Sequence, residues 1–313
     1  MALAKTFIVT GGNRGLGLGC ATALAKDSGV FVVIGCRDVQ KGEQAELRLS
    51  EAQGHAKALP LDLSVQASIR TFVEVVRNSQ FPPLAGVICS AGMQNVGAPQ
   101  KTEEGYETTF AVNHLGHYLL TRLLLPDLAM GASITFVSSG THDPKQKSGM
   151  PEPRYINAEA VAHDFEPGAK AGRRRYTTSK LCNILCTYEY ARRLASASDA
   201  RLQSLRVNAF DPGLMPATDL ARTYSPPLRF AWRYILPALS LFIRMNSPEI
   251  SGSRLARLAS GGEGPVTGKY FSDDKETQSS DESYDTQKAL DLWDTSAKMT
   301  GLPSELSTAT PQR

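Results

Sequence analysis

Short, continuous apolar runs recur along the chain as far as residue 210. Thr6–Thr10, Val30–Cys36, Ala56–Leu61, Gly86–Cys89, Ser133–Ser138 and Ser204–Phe210 read as strands, and helical segments lie between them. Runs that are apolar throughout belong to strands buried on both faces, the condition of a parallel sheet covered by helices. Right-handed crossovers then give an α/β, doubly wound Rossmann fold, with residues 1–313 as a single domain.

Two stretches break the alternation. Residues 141–175 are rich in proline, glycine and charge and lead into a helix carrying Tyr176; a loop of that length is usually functional, and it reads as an active-site insert. Residues 214–246 hold an apolar, aromatic run, Leu228–Ile243, broken by Pro237 and too short to span a bilayer. The polar end, 303–313, is expected to be a flexible tail.

Composition changes this picture little. A 42% hydrophobic and 21% charged chain is ordinary for a globular protein, and a net charge of +3 is too mild to argue for nucleic acid. The triplet Arg173-Arg174-Arg175 reads as a solvated helix start. Five cysteines, an odd number with no C-x-x-C, suit reduced, packed thiols in a cytoplasmic protein. No signal-like segment precedes the first strand, which agrees with that compartment.

The candidate chemistry begins where the first strand ends. Gly11, Gly15 and Gly17 permit a sharp turn and close backbone approach, and a helix starting near Arg14 offers its positive end to a pyrophosphate. The G-x-G-x-x-G pattern fails because Cys20 holds its last position; T-G-x-x-x-G-x-G fits. The second strand ends in Arg37. With Arg14 it supplies two guanidiniums for a ribose 2′-phosphate, so NADPH is expected, while the adjacent Asp38 would favour NAD. Asp62 could accept from an adenine amine or stand at a helix N-terminus.

Tyr176 and Lys180 lie one helical turn apart. A nearby ammonium favours phenolate, which makes a tyrosine a usable acid/base. A serine of the Ser138-Ser139 pair would donate to a substrate oxygen. His114 and His117 are also one turn apart, but no third ligand is near in sequence, so packing is expected and no metal. Ser139, His142 and Asp143 crowd one turn and cannot form a hydrolase relay.

Over about residues 5–260 these motifs, with Leu61-Asp62-Leu63, Ser90-Ala91-Gly92, Asn113-His114-Leu115-Gly116-His117 and Asp211-Pro212-Gly213, make the chain resemble a short-chain dehydrogenase/reductase. The resemblance implies a catalytic tetrad of Asn113, Ser139, Tyr176 and Lys180, in which Asn113 holds a helix carbonyl and a water leading from Lys180 to solvent. It implies cofactor contacts at Gly11, Asn13, Arg14, Gly15, Leu16, Gly17, Arg37, Asp62 and Leu63. Further contacts are implied at Ser90, Ala91, Gly92, Tyr176, Lys180, Pro212 and Gly213.

Two branches of that family are similar: retinol dehydrogenases and light-dependent protochlorophyllide reductases. The second is resembled through the insert at Thr141-His142-Asp143, through Lys180-Leu181-Cys182, and from Tyr284 to Leu302. The chain departs from it at Leu214, where a cysteine is usual, and Cys89-Ser90 replaces the wider family's Asn-Asn. The expected activity is NADPH-dependent interconversion of a hydrophobic ketone or aldehyde and its alcohol. The alternatives are C=C reduction of a conjugated or tetrapyrrole substrate and a non-catalytic NADPH-binding regulatory protein. The family places its substrate lid at 214–246; Phe230, Trp232, Tyr234 and Phe242 there suggest peripheral membrane contact. Many members pair as homodimers through the helices carrying Asn113 and Tyr176, though the similar branches need not.

Overall fold

Eight strands form one sheet in the order β3-β2-β1-β4-β5-β6-β7-β8 in a computed structural model that describes residues 3–215 and 245–306. The strands are β1 (Lys5–Thr10), β2 (Val30–Cys36), β3 (His55–Pro60), β4 (Leu84–Cys89), β5 (Leu128–Val137), β6 (Arg206–Asp211), β7 (Lys269–Ser272) and β8 (Lys275–Thr277). All pairs are parallel except β7 with β8. From β1 the chain runs outward to β2 and β3, then returns to place β4 on β1's other side. This reversal opens a crevice at the carboxyl ends of β1 and β4, where such sheets take their ligands.

Alternate residues of each strand feed two cores. Ile8, Val33, Val87, Ile134 and Val207 face one side. There they meet α3 (Gln66–Asn78), α4 (Gly116–Leu124), α6 (Ala169–Ala195) and α9 (Thr286–Thr300). Phe7, Val9, Val32, Ile34 and Ile88 face the other, against α1 (Gly15–Leu24), α2 (Val39–Glu51) and α8 (Pro248–Ala259). The sequence dictates these contacts: α3 places Ile69, Phe72, Val73 and Val76 at helical spacing on its buried face. Two shorter helices are α5 (Ala158–Ala162) and α7 (Ala200–Ser204).

α1 and α8 cross at backbone contact. A Cβ on Gly19 would stand 2.2 Å from the Pro248 carbonyl oxygen, and one on Gly252 would stand 2.4 Å from the Gly19 carbonyl carbon. On the opposite side α9 fills the groove between α4 and α6. Its Trp293 meets Tyr118 and Tyr190 edge-on at 5.0 Å each and lies beneath the guanidiniums of Arg122 and Arg193, each 4.9 Å from the ring. Arg122 also donates to the carbonyls of Pro303 and Glu305, so the start of the expected flexible tail is tied to the body.

The insert 141–175 is ordered rather than open: it holds two 3-10 turns, Gly140–His142 and Pro144–Gln146, and α5, and α6 has already begun at Ala169. One expectation is overturned here. Arg175 is not on a solvated helix start: its side chain is 2% exposed, its Nε lies 3.4 Å from the buried Glu107 carboxylate, and it donates to the Glu166 carbonyl at 2.6 Å. All five cysteines are buried and free. Among the described residues no helix is long and apolar enough to cross a membrane. The lid expected at 214–246, apart from Leu214, Met215, Met245 and Asn246, lies outside the described residues, as do Phe230, Trp232, Tyr234 and Phe242.

Candidate active site

A cleft of about 1080 Å³ opens at the carboxyl ends of the central strands. Among the described residues, every predicted catalytic or cofactor-binding residue lines it except Asn113. At one end is the turn after β1. Gly11 and Gly15 adopt φ of +66° and +51°, which glycine reaches without strain, and a Cβ on Gly17 would come within 2.4 Å of the Gly11 carbonyl oxygen. The first turn of α1 has no side-chain cap: Arg14 at its N-cap makes no capping hydrogen bond. Its amides and positive dipole end are therefore presented to the cleft, a fit for pyrophosphate. Asn13 and Leu16 stand beside them.

Thr10 ties this turn to the floor of the cleft. Its Oγ1 accepts from the Ala91 amide at 2.9 Å and meets His117 Nε2 at 2.9 Å, while His117 Nδ1 lies 3.1 Å from the Asn113 carbonyl. A carbonyl only accepts, so the proton sits on Nδ1 and Thr10 donates to Nε2. Burial supports that neutral form, bringing His117 down to about 4. His114 is likewise held, by Ser296 Oγ at 3.0 Å. The two histidines are fully buried packing residues.

Asp38 lines the cleft together with Arg14, Arg37 and Lys41. Asp38 is committed elsewhere: it caps α2 by accepting from the Lys41 amide at 3.1 Å and pairs with the Lys41 ammonium at 2.8 Å. Asp62 spends one oxygen on the Ser64 amide and hydroxyl, at 2.9 and 2.6 Å, which makes a local turn and not a helix cap. It borders the cleft with Leu63.

At the far end the chemistry-bearing groups converge. Lys180 Nζ donates to the Val137 carbonyl at 3.0 Å and lies 5.5 Å from the centre of the Tyr176 ring. Burial lowers the lysine to about 8, opposed by the Asp211 carboxylate. Of the two serines, Ser138 is buried and donates to the Lys180 carbonyl at 2.8 Å, fastening β5 to α6. Ser139 is half-buried in the cleft. Its Oγ accepts from the Thr141 amide and hydroxyl, at 3.3 and 3.2 Å, so its own proton remains for an acceptor there.

Asn113 sits behind the cleft in a π-turn, Ala111–Leu115, that leads into α4. Its amide clamps Met93, accepting from the backbone N–H at 2.8 Å and donating to the carbonyl at 2.9 Å, and also donates to Ser179 Oγ at 2.9 Å. It thereby fixes the Ser90-Ala91-Gly92 segment against α6. On the opposite wall Asp211 accepts from the Gly213 amide at 3.0 Å and shapes the Pro212–Gly213 turn.

The fold agrees with comparisons to known proteins. The family model for the short chain dehydrogenase matches residues 5–150. The chain is 33% identical to protochlorophyllide reductase A, chloroplastic, of Oryza sativa subsp. japonica, across 94% of this chain and 80% of that protein. The chain belongs to the short-chain dehydrogenase family. This short-chain dehydrogenase is also 32% identical to protochlorophyllide reductase of Avena sativa, over 94% of its own length and 99% of the relative's. Among solved structures it superposes on an uncharacterized protein from Mycobacterium Paratuberculosis with a TM-score of 0.71 and 27% identity, covering 98% and 96% of the two chains. It shares its fold with a blue fluorescent protein from a metagenomic library, solved in complex with NADPH, at a TM-score of 0.64, 21% identity and coverage of 88% and 98%.

Several residues that shape the site escaped the sequence. Asn183 donates to the same Val137 carbonyl as Lys180, at 3.0 Å; its spacing of three residues from Lys180 on one helix face was a usable signal. Lys41 lies in the first turn of α2 after Arg37 and was equally readable. Asn246 and Ser251 both donate to the Pro212 carbonyl, at 2.9 and 2.7 Å, and hold the turn from a segment far along the chain. No local pattern marks them.

Proposed function

We propose that this short-chain dehydrogenase reduces a hydrophobic ketone or aldehyde at the expense of NADPH, with Tyr176 as proton donor. The supporting observation is the convergence of Ser139, whose proton is available, with Tyr176 and Lys180 in one cleft that also presents an uncapped helix end. The cofactor is NADPH/NADP+. Gly11, Gly15, Gly17 and the α1 amides would hold its pyrophosphate, and Arg14, Arg37 and Lys41 its 2′-phosphate. Bound NADPH supplies the hydride. Ser139 donates a hydrogen bond to the carbonyl oxygen, Tyr176 gives it a proton, and the Lys180 charge makes that phenol a stronger acid. Met93, Met150 and Met215 supply apolar, adaptable walls beside them. Pairing through α4 and α6 forms no part of this reading, because Trp293 and α9 occupy their groove.

The names of the relatives favour a second reading, C=C reduction of a conjugated tetrapyrrole. Turnover of NADPH on decanal, all-trans-retinal, phenanthrenequinone and protochlorophyllide, in darkness and in light, separates the two. Dark reduction of the carbonyls supports the first reading. Reduction confined to protochlorophyllide under illumination replaces it with the second. Tight NADPH binding without turnover of any of the four favours a binding role.

Two results should accompany the first. Arg37→Ala should raise the Kd for NADPH roughly 10- to 100-fold, the scale of one lost hydrogen bond between charged groups, while leaving NADH unchanged in fluorescence titration. Lys180 loses its proton above about 8 in the free protein. Its charge, and its help to Tyr176, are present below that pH and lost above it. Hence kcat/KM for reduction should fall on the alkaline side with a midpoint near there, and a flat profile to pH ~10 would exclude this role for Lys180.

A further inference from the structure

His142, 1% exposed, stands directly behind Ser139. Its Nδ1 is 2.7 Å from the Ser139 carbonyl oxygen and its Nε2 is 3.0 Å from the Ser280 amide, in the segment between β8 and α9. The Ser280 N–H can only donate and the Ser139 carbonyl can only accept. The ring is therefore the neutral Nδ1–H tautomer, with both nitrogens used. Tyr270 packs against it edge-on at 5.1 Å, and the carboxylates of Asp143 and Asp211 face it. Burial outweighs those two charges and holds the ring below the ordinary histidine value, in its neutral form.

Within its own turn Ser139 is fixed by the contacts its Oγ accepts from the Thr141 amide and hydroxyl, at 3.3 and 3.2 Å, and its carbonyl is fixed from further away. β5 ends at Val137, and the last ladder bond of this strand end is from the Ser138 amide to the Phe210 carbonyl. Beyond it Ser139 is extended at φ −168° and opens a single 3-10 turn. Its carbonyl accepts from the His142 amide at 3.1 Å as well as from the ring. The Ser139 carbonyl is thus bonded to both the amide and the ring of His142, and through the ring to a segment 138 positions away.

We propose that His142 is a positioning residue: its imidazole ties the Ser139 carbonyl to the Ser280 amide and so holds the Ser139 hydroxyl toward the substrate oxygen. This rests on the reading above, in which Ser139 touches that oxygen. The same three residues that mimic a hydrolase triad in the sequence thus act in another way. His142 addresses the serine's carbonyl and leaves its Oγ alone.

A double-mutant cycle on phenanthrenequinone reduction tests this, with NADPH titration and thermal melting to show that each variant is folded. His142→Ala should lower kcat about 10- to 100-fold, the cost of a misplaced group, with the KM for NADPH unchanged. His142→Asn, which keeps an N–H donor toward Ser139, should recover part of that loss. Ser280→Pro removes the anchoring N–H at a φ of −60°, which proline accepts, and should mimic His142→Ala without touching the ring. In the Ser139→Ala background the His142 and Ser280 changes should have no further effect on kcat, because they act through Ser139. Additive losses in that background, or wild-type kcat in His142→Asn and Ser280→Pro together, would overturn the proposal. Unchanged kcat in Ser139→Ala alone would instead refute the reading of Ser139 on which it stands. If His142→Ala does not fold, the other two variants carry the cycle.

Discussion

Tyr176→Phe should cut kcat for carbonyl reduction by about 10²–10⁴, the usual contribution of a positioned general acid, while NADPH binds as before. The change removes one oxygen and keeps the ring, which is 6% exposed and packed in the wall of the cleft. Cofactor grip is spread over the β1 turn, the α1 amides and the Arg14, Arg37 and Lys41 cluster, none of which depends on the phenol. Loss should therefore appear in kcat and not in the Kd for NADPH. Steady-state kinetics beside fluorescence titration decides it: a variant that keeps its kcat would remove Tyr176 from the proton-transfer step, whatever its position.

Gly19→Val should be as damaging to the fold as Tyr176→Phe is to the chemistry. The added atoms meet backbone, since a Cβ at this position is 2.2 Å from the Pro248 carbonyl oxygen. No rotamer relieves that contact; α1 and α8 must separate. Overpacking of this kind costs about 3 kcal/mol, which for a chain of this size lowers Tm by roughly 5 °C. Because α1 also delivers the pyrophosphate amides, NADPH affinity should fall with stability. Leu47→Ala, on an exposed position of α2, is the control and should move stability by less than about 0.5 kcal/mol. Equal melting of Gly19→Val and wild type would show that the two helices are free to part.

What could be read from sequence follows from the range of the interactions. The β1 turn was legible because glycine φ values and close approaches are set within one short segment. Tyr176 and Lys180 were legible because a helix brings i and i+4 together. The strands from β1 to β6 were found with small boundary errors, except that β5 begins at Leu128 and not near Ser133. Its early part includes Met130, 73% exposed, and Gly131 at positive φ, which break the apolar run. β7 and β8 were missed: β7 offers only Tyr270 and Phe271 as apolar positions, and β8 is exposed throughout.

The errors in the site share one cause. Arg175 looks solvated because its neighbours are charged; its carboxylate partner, Glu107, is remote in sequence. In the sequence His142 is set aside as a triad member and has no other role, because its second partner, Ser280, comes from beyond the sheet's last hairpin. There Ser139 is preferred to Ser138 through the family resemblance alone; the bond that occupies Ser138, to the Lys180 carbonyl, comes from the packing of α6 on β5.

The position of α9 also bears on how the protein is made. Ala289, Leu292, Trp293 and Ala297 belong to the same core as β1 and β4, and Trp293 stands between Tyr118 and Tyr190. A nascent chain that has emerged only as far as residue 285 has all eight described strands in hand but leaves that aromatic groove open to water. The first core can therefore close only after synthesis has passed the last helix, and until then the ribosome-bound intermediate presents an apolar surface of the kind that chaperones engage.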